Sequence, residues 1–203
     1  MPQSSPSTTA PDTTAPDTAA SVQNALRIIR DELTATLNAI DADAAEHAMS
    51  LIGSAPRVFT LGQGRSGIAL RGLAMRLTHL GRTAHVVGDT TSPSVQASDV
   101  LVVASGSGTT ETIVRAATKA AGLGVKVVAF TSAPESPLAA IASAVVPIRA
   151  ATKTDHSAAA SEQYAGGLFE QSVLLLSDAI FHTLWKRSGA TAEQLWTRHA
   201  NLE

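Results

Sequence analysis

Short apolar runs alternate with segments of helical periodicity through the middle of the chain. The runs are rich in Val, Ile and Ala and are bounded by Gly, Ser, Pro or Asp, as is typical of buried strands. Because strands that alternate with helices form right-handed βαβ units, the pattern predicts an α/β fold with a doubly wound, five-stranded parallel sheet. The strands are predicted at 57–61, 84–87, 100–104, 125–131 and 144–148, and helices at 66–80, 110–123, 137–142 and 168–185.

Two more helices are predicted before the sheet. Apolar residues recur at helical spacing over residues 22–40 and again over 44–52. Such an N-terminal helical pair needs an apolar surface to pack on, either the domain itself or a second subunit.

The first twenty residues differ in composition from the rest. Residues 1–20 are almost entirely Pro, Ser, Thr, Ala and Asp, which predicts a disordered tail. Residues 21–203 are therefore interpreted as one domain with short C-terminal helices. Within it, the polar, Ala-rich segment 150–166 is predicted to be a mobile loop.

Composition narrows the function classes. Hydrophobic residues make up 44% and aromatic residues 3%, so the core must consist mainly of Ala, Val, Leu and Ile. The formal charge is -2 without a basic run, which predicts no nucleic-acid partner. The chain has no cysteine and no H-E-x-x-H pattern, so no metal site is expected. No apolar stretch reaches the roughly 18 residues of a transmembrane helix, so we expect a cytoplasmic protein without membrane contact.

The first strand is followed by the sequence G-Q-G-R-S-G at residues 62–67. Formally this is G-x-G-x-x-G between a strand and a helix, and Asp89 follows the next strand where a ribose-binding acid is expected. A dinucleotide site is therefore one hypothesis. Tight strand–helix turns also favour glycine whatever they bind, so a plain turn remains an alternative.

The third strand is followed by S-G-S-G-T-T at residues 105–110. Glycines let backbone N–H groups converge on one point, and the next helix adds its positive end. Four hydroxyls surround that point, whereas a helix N-cap needs one. The loop therefore predicts a site for a phosphate monoester, held by the residues Ser105, Gly106, Ser107, Thr109 and Thr110.

With these loops the chain resembles the sugar isomerase (SIS) domain proteins, and among them the 6-phospho-3-hexuloisomerases of the ribulose monophosphate pathway. The resemblance covers about residues 19–203. It rests on the two loops and on the strings M-R-L-T-H-L-G at 75–81, L-F-E-Q at 168–171 and R-H-A-N-L-E at 198–203. It implies a flavodoxin-like SIS fold and conversion of D-arabino-hex-3-ulose 6-phosphate to fructose 6-phosphate without any cofactor. It also implies a homo-oligomer, a tetramer or dimer, in which neighbouring subunits complete the sites.

The resemblance assigns Glu170 as the base that moves the proton, although spacing alone allows an ordinary acid at a helix start. His79 and His199 lie in family strings and are candidates for polarising the sugar oxygens. For His79 the alternative is a cation at a helix C-terminus, and for His199 the sequence shows no packing reason. Gly64, Arg65 and Ser66 of the first loop are expected to contact the substrate.

Two other functions stay open at this point. The same fold could serve as a non-catalytic phosphosugar-binding module. An isomerase could also act on another sugar phosphate, such as arabinose 5-phosphate.

Overall fold

The computed structural model describes residues 21–151 and 161–202, so the predicted tail 1–20 and residues 152–160 of the predicted loop lie outside the described residues. The strands are β1 (Arg57–Gly62), β2 (Thr83–Val86), β3 (Val100–Ala104), β4 (Lys126–Thr131) and β5 (Ala144–Pro147). The helices are α1 (Val22–Asn38), α2 (Ala42–Ser54), α3 (Gly64–His79), α4 (Glu111–Gly122), α5 (Pro137–Ile141), α6 (Gly167–Ser188) and α7 (Ala192–Trp196).

The five strands form one parallel sheet in the order β2-β1-β3-β4-β5. The predicted α/β fold class, the strand count and the N-terminal helical pair are confirmed. Predicted strand ends differ from the observed ones by at most one residue, within the usual uncertainty of element boundaries.

Both faces of the sheet are covered. Alternate residues of β3 point to opposite sides: Val100 and Val102 pack with α2, α3 and α6, whereas Leu101 and Val103 pack with α4 and α5. This burial on both sides explains why the strands are continuous apolar runs rather than alternating ones.

The helical pair packs on the domain to different extents. Asp41 caps α2, and Ala48, Met49 and Ile52 of that helix join the core on the α6 side of the sheet. In α1, Val22 and Leu26 are largely exposed, at 77% and 56%. The domain therefore covers α2 well and α1 only in part.

A buried ion pair between Arg57 and Asp99 lies at the amino ends of β1 and β3. The two glycine-rich loops lie at the opposite, carboxyl ends of these strands. Asp99 is 1% exposed and accepts hydrogen bonds from Arg57 Nε (2.9 Å), Arg57 Nη2 (2.6 Å) and Gln96 N (2.7 Å). Burial by itself raises the pKa of Asp99, but the hydrogen bonds from Arg57 and Gln96 and the charge of Arg57 outweigh it. The pKa of Asp99 therefore lies below its ordinary value.

We expect Asp99→Asn to lower the free energy of unfolding at pH 7 by about 2 kcal/mol, since two charge-assisted hydrogen bonds are lost. A carboxyl with a depressed native pKa stabilises the fold above its unfolded pKa, and this contribution disappears as the pH falls through the native value. Urea unfolding should therefore show the two proteins converging below about pH 4. The control Asp89→Asn removes a pair with Arg71 that is largely exposed and should cost at most about 0.5 kcal/mol. Equal losses for the two variants would contradict this account.

Candidate active site

The sequence-predicted binding loops meet beyond the carboxyl ends of β1 and β3. The helices that follow these adjacent strands, α3 and α4, lie on opposite faces of the sheet, so the crevice forms at a topological switch point. A cavity of about 310 Å³ opens there. It is lined by Gln63, Ser66, Ala104, Ser105, Gly106, Ser107, Thr109, Thr110, Ile113, Ala151, Gly166 and Phe169.

Hydrogen bonds between its own side chains shape the 105–110 loop. The hydroxyls of Ser105 and Thr110 lie 3.0 Å apart and share a hydrogen bond, which closes the loop at its base. Ser107 Oγ accepts hydrogen bonds from Thr109 Oγ1 (3.0 Å) and Thr109 N (3.3 Å). The loop therefore presents a curved surface of hydroxyls rather than an extended chain.

The end of β4 holds the loop in place. The carbonyl oxygen of Gly106 accepts hydrogen bonds from Ser132 N (3.0 Å) and Thr131 Oγ1 (3.2 Å). Gly108 has a φ of 61°, and a Cβ there would collide with the Ser136 side chain. Glycine at position 108 is thus required for both conformation and space.

The hydroxyls do more than cap a helix. Thr110 is the N-cap residue of α4, yet its side chain makes no capping hydrogen bond and pairs with Ser105 instead. Among the described residues that line the cavity, none is charged. We call the hydroxyl-rich surface formed by residues 105–110 the cradle. An anion in the cradle would be held by hydroxyls, backbone N–H groups and the positive end of α4.

Close backbone packing explains why positions 62 and 67 of the first loop are glycine. A Cβ at Gly62 would lie 2.7 Å from Gly67 N, and a Cβ at Gly67 would lie 2.5 Å from Gly62 O. The backbone of β1 therefore touches the start of α3 directly. Asp89, the candidate ribose-binding acid, is ion-paired with Arg71 at 2.9 Å.

Glu170 lies in the first turn of α6 and is 5% exposed. Its Oε2 is 3.2 Å from Nη1 of Arg65, whose side chain is 60% exposed. Both line a groove of about 190 Å³, on the α3–α6 side of the molecule. Their chain neighbours Ser66 and Phe169 line the 310 Å³ cavity, so the ion pair borders the cradle. The pair joins a carboxylate that can accept a proton to a guanidinium that can balance negative charge.

His79 and His199 lie together, away from the cradle. The rings of His79 and His199 stack with their centroids 4.8 Å apart. The ring of Trp196 also stacks on His199, with a centroid distance of 4.7 Å. His199 thus has a packing reason that the sequence did not reveal. Gly64 and His79 are at opposite ends of α3, about 22 Å apart at 1.5 Å per residue. Within one chain, the two histidines therefore do not reach Glu170.

The ionisation of His79 follows from its surroundings. Burial lowers the pKa of His79, and the positive charges of His199 and Arg76 lower it further. The lowered pKa of His79 disfavours the protonated form that would interact favourably with the C-terminal end of α3.

The predicted site residues fall into two groups. Ser66, Ser105, Gly106, Ser107, Thr109 and Thr110 line the cavity, whereas Gly64 and Arg65 do not. Six further lining residues were not predicted from the sequence: Gln63, Ala104, Ile113, Ala151, Gly166 and Phe169. Phe169 had a signal, because it lies in the L-F-E-Q string at 168–171, and its ring lies 3.5 Å from a Cβ built at Gly106, which is an ordinary van der Waals contact. Ala151 and Gly166 had no signal in the sequence, because only the tertiary fold brings them to β3.

Two general properties bear on the site. In the described part of the chain, no group of three or more His, Asp or Glu side chains could hold a metal ion. Across 21–151 and 161–202, none of the helices combines the length and apolar character of a bilayer crossing.

Comparison with known proteins gives consistent results. The family model described as SIS domain matches residues 51–168. The chain is 50% identical over 182 residues to the 3-hexulose-6-phosphate isomerase of Mycobacterium gastri, covering 90% of this chain and 92% of that protein. It is 35% identical to the protein of that name from Bacillus subtilis, covering 86% and 95% of the two chains.

A solved structure agrees. A Methanococcus jannaschii protein with an inferred molecular function of 3-hexulose-6-phosphate isomerase superimposes with a TM-score of 0.74 at 27% identity, covering 89% of this chain and 99% of that one. The names of these relatives describe isomerases of a hexulose phosphate and not nucleotide-dependent enzymes. The chain belongs to the SIS domain family of sugar-phosphate isomerases, together with its relatives named 3-hexulose-6-phosphate isomerase.

Proposed function

We propose that this protein interconverts D-arabino-hex-3-ulose 6-phosphate and fructose 6-phosphate in the cytoplasm. The observation that carries the proposal is the hydroxyl-lined cavity of about 310 Å³ bordered by the Arg65–Glu170 ion pair. The cradle suits a terminal phosphate, and the ion pair suits proton transfer at a carbon next to a carbonyl. The names of the relatives supply the substrate.

In the proposed reaction the 105–110 loop binds the phosphate. Hydrogen bonds to a charged group contribute roughly 1.5–3 kcal/mol each, so three or four hold the dianion without a lysine. This binding energy is remote from the reacting carbons and positions them for the chemical step.

Glu170 then removes the proton from C2 of the hexulose. The electron pair of the broken C–H bond forms the C2=C3 double bond, and the C3 carbonyl oxygen becomes negatively charged. Arg65, paired with Glu170 in the free protein, balances the charge of this enediolate. The proton of the C2 hydroxyl moves to the negatively charged C3 oxygen, and Glu170 returns its own proton to C3, which leaves a carbonyl at C2 and a hydroxyl at C3.

One coupled assay tests the proposal. The protein is incubated with D-arabino-hex-3-ulose 6-phosphate, and fructose 6-phosphate is detected as it forms. Arabinose 5-phosphate is offered in parallel. Turnover of the hexulose is expected. Binding of both sugars without turnover would favour a phosphosugar-binding module, and turnover of the pentose alone would favour another isomerase.

We further propose that His79 and His199 act in the site of a neighbouring subunit. Two features support this: the pair lies at the far end of α3 from Glu170, and the α3–α6 face exposes apolar side chains. Ile68, Met75 and Leu174 are 69%, 50% and 42% exposed, which is an unusual concentration beside an active-site groove. A homo-oligomer, dimer or tetramer, would cover this face and bring His199 of one subunit toward Glu170 of another.

Mixed oligomers test the shared site. Glu170→Gln and His199→Asn should each be nearly inactive alone, with losses of at least about 100-fold. Co-expressed at equal levels, they should recover about a quarter of wild-type activity, because half of randomly paired dimers are mixed and each has one intact site. The readout is turnover of the co-purified oligomers. Activity no higher than that of the better single variant would exclude sharing of these two residues.

A further inference from the structure

Glu32 of α1 makes a cluster of contacts that the proposed reaction does not use. Its Oε2 accepts hydrogen bonds from Ser161 Oγ (2.8 Å) and Gln163 Nε2 (2.9 Å), and its Oε1 accepts one from Glu162 N (2.7 Å). The three donors come from consecutive residues that are about 130 positions away in the chain. A single carboxylate thus fastens the segment 161–163 to α1.

The group is charged at neutral pH. Burial opposes the ionised form, but the hydrogen bonds from Gln163, Glu162 and Ser161 outweigh it and hold the pKa of Glu32 below its ordinary value. Hydrogen bonds to a charged acceptor are roughly twice as strong as neutral ones, so this contact is a firm attachment.

The fastened segment leads directly into the helix that carries Glu170. After Gln163 the chain passes through two left-handed residues, Ala165 at φ 50° and Gly166 at φ 80°, before α6 begins at Gly167. A left-handed alanine is unfavourable by about 1–2 kcal/mol and persists only where its surroundings hold it. The attachment of Gln163 to Glu32 provides such a restraint on one side of the turn.

Gln163 also lies against the start of α6 itself. Gln163 Oε1 is 3.4 Å and Arg65 Nη1 is 3.6 Å from a Cβ built on Gly167. The side chain that Glu32 holds is therefore packed at the same point as the guanidinium that pairs with Glu170. The contact continues on the same face of α1, where Thr36 Oγ1 donates to Arg149 O (3.2 Å). Ala151 and Gly166, which line the cavity, follow these two attachment points closely.

We infer that Glu32 is a positioning residue, whose carboxylate fixes where α6 begins and so where Glu170 faces Arg65 and the cradle. It touches neither the cavity nor the reacting atoms. The inference rests on the proposed function in that it takes Glu170 to be the base. It also gives α1, whose early residues are poorly covered, a role in the site.

The test compares Glu32→Gln with the neighbouring Asp31→Asn. Asp31 is an exposed residue of the same helix that pairs with Arg27 and Arg30 and does not contact the segment 161–163. Glu32→Gln should lower kcat by about tenfold or more, because displacement of a catalytic group by an ångström costs up to about 100-fold. KM should change less than about threefold, since the cradle is held by β3 and β4 rather than α1. Asp31→Asn should leave both constants within about twofold.

A rescue variant separates positioning from general damage. In Glu32→Gln with Gln163→Glu the carboxylate and the amide exchange places, so a donor again faces an acceptor across the same gap. This double variant should recover at least about a third of wild-type kcat. A kcat that stays as low as that of Glu32→Gln would overturn the positioning role.

Hydrogen–deuterium exchange provides a readout that needs no substrate. Amides of 161–170 should exchange about tenfold faster in Glu32→Gln than in wild type, and at the wild-type rate in Asp31→Asn. Unchanged exchange, or faster exchange with unchanged kcat, would overturn the inference. If wild type fails to turn over the hexulose phosphate, the proposed function fails and the exchange result alone decides whether Glu32 holds the start of α6.

Discussion

Glu170→Gln is expected to lower kcat by about 1,000-fold while leaving the affinity for fructose 6-phosphate within about threefold of wild type. The substitution keeps the size and shape of the side chain but removes its capacity to accept a proton. General base catalysis contributes about 10²–10⁴-fold, and no other carboxylate lines either of the two adjoining cavities among the described residues.

The fold should tolerate this change. Arg65 loses its partner, but its side chain is 60% exposed and stays hydrated, so no buried charge is left unpaired. The variant should therefore bind sugar phosphate in the cradle and fail only at the chemical step.

Two measurements check the Glu170 prediction. Fructose 6-phosphate incubated in D₂O with wild type should acquire deuterium at C3, and the variant should lose this exchange in parallel with turnover. Glu111→Gln is the matched control, because Glu111 is also an acid in the first turn of a helix beside the cradle but does not line the cavity. Activity of Glu170→Gln within tenfold of that control would remove Glu170 from its role as base.

Ser107→Asp is expected to raise KM at least about 100-fold with a smaller effect on kcat. Ser107 is exposed and lines the cavity, where its hydroxyl accepts from Thr109. A carboxylate there replaces a hydrogen-bond donor, which forfeits roughly 1.5–3 kcal/mol, and adds repulsion of the phosphate dianion. It would also occupy the anion site at the start of α4.

The control for this variant carries the same charge a short distance away. Thr112→Asp adds a carboxylate in the exposed first turn of α4, outside the cavity lining. Its KM should rise no more than about threefold, since exposed charges are screened. Inorganic phosphate as a competitive inhibitor gives a second measure, because its inhibition constant should rise with KM in Ser107→Asp only. Equal effects of the two aspartates would show that the phosphate sits elsewhere.

Much of the fold was predictable because its signals are local. The buried strands are short apolar runs, and β3 was predicted with the boundaries that the structure shows. The cradle was predictable for the same reason, since Ser105 to Thr110 are adjacent in the chain and follow a strand directly. The Arg65–Glu170 contact was not, because neither residue's surroundings in the sequence indicate the other.

His79 and His199 show most clearly which contacts the sequence does not predict. Their strings are recognisable, yet the stacking of His79 on His199 depends on how the C-terminal segment packs against α3. Glu32 carried no sequence signal of any kind, because an acid on an exposed helix face is ordinary until its partners are known.

The amino-acid sequence by itself determined the order of strands and helices along the chain, the doubly wound sheet and the hydroxyl-rich loop beyond β3. These features arise from hydrophobic periodicity and from glycine and hydroxyl chemistry over a few neighbouring residues. Only the tertiary structure decided which groups surround the cradle: the Arg65–Glu170 pair, the wall formed by Ala151, Gly166 and Phe169, and the attachment of α6 to Glu32. Such contacts join residues far apart in the chain, and packing selects them from many compatible partners, so no local pattern specifies them.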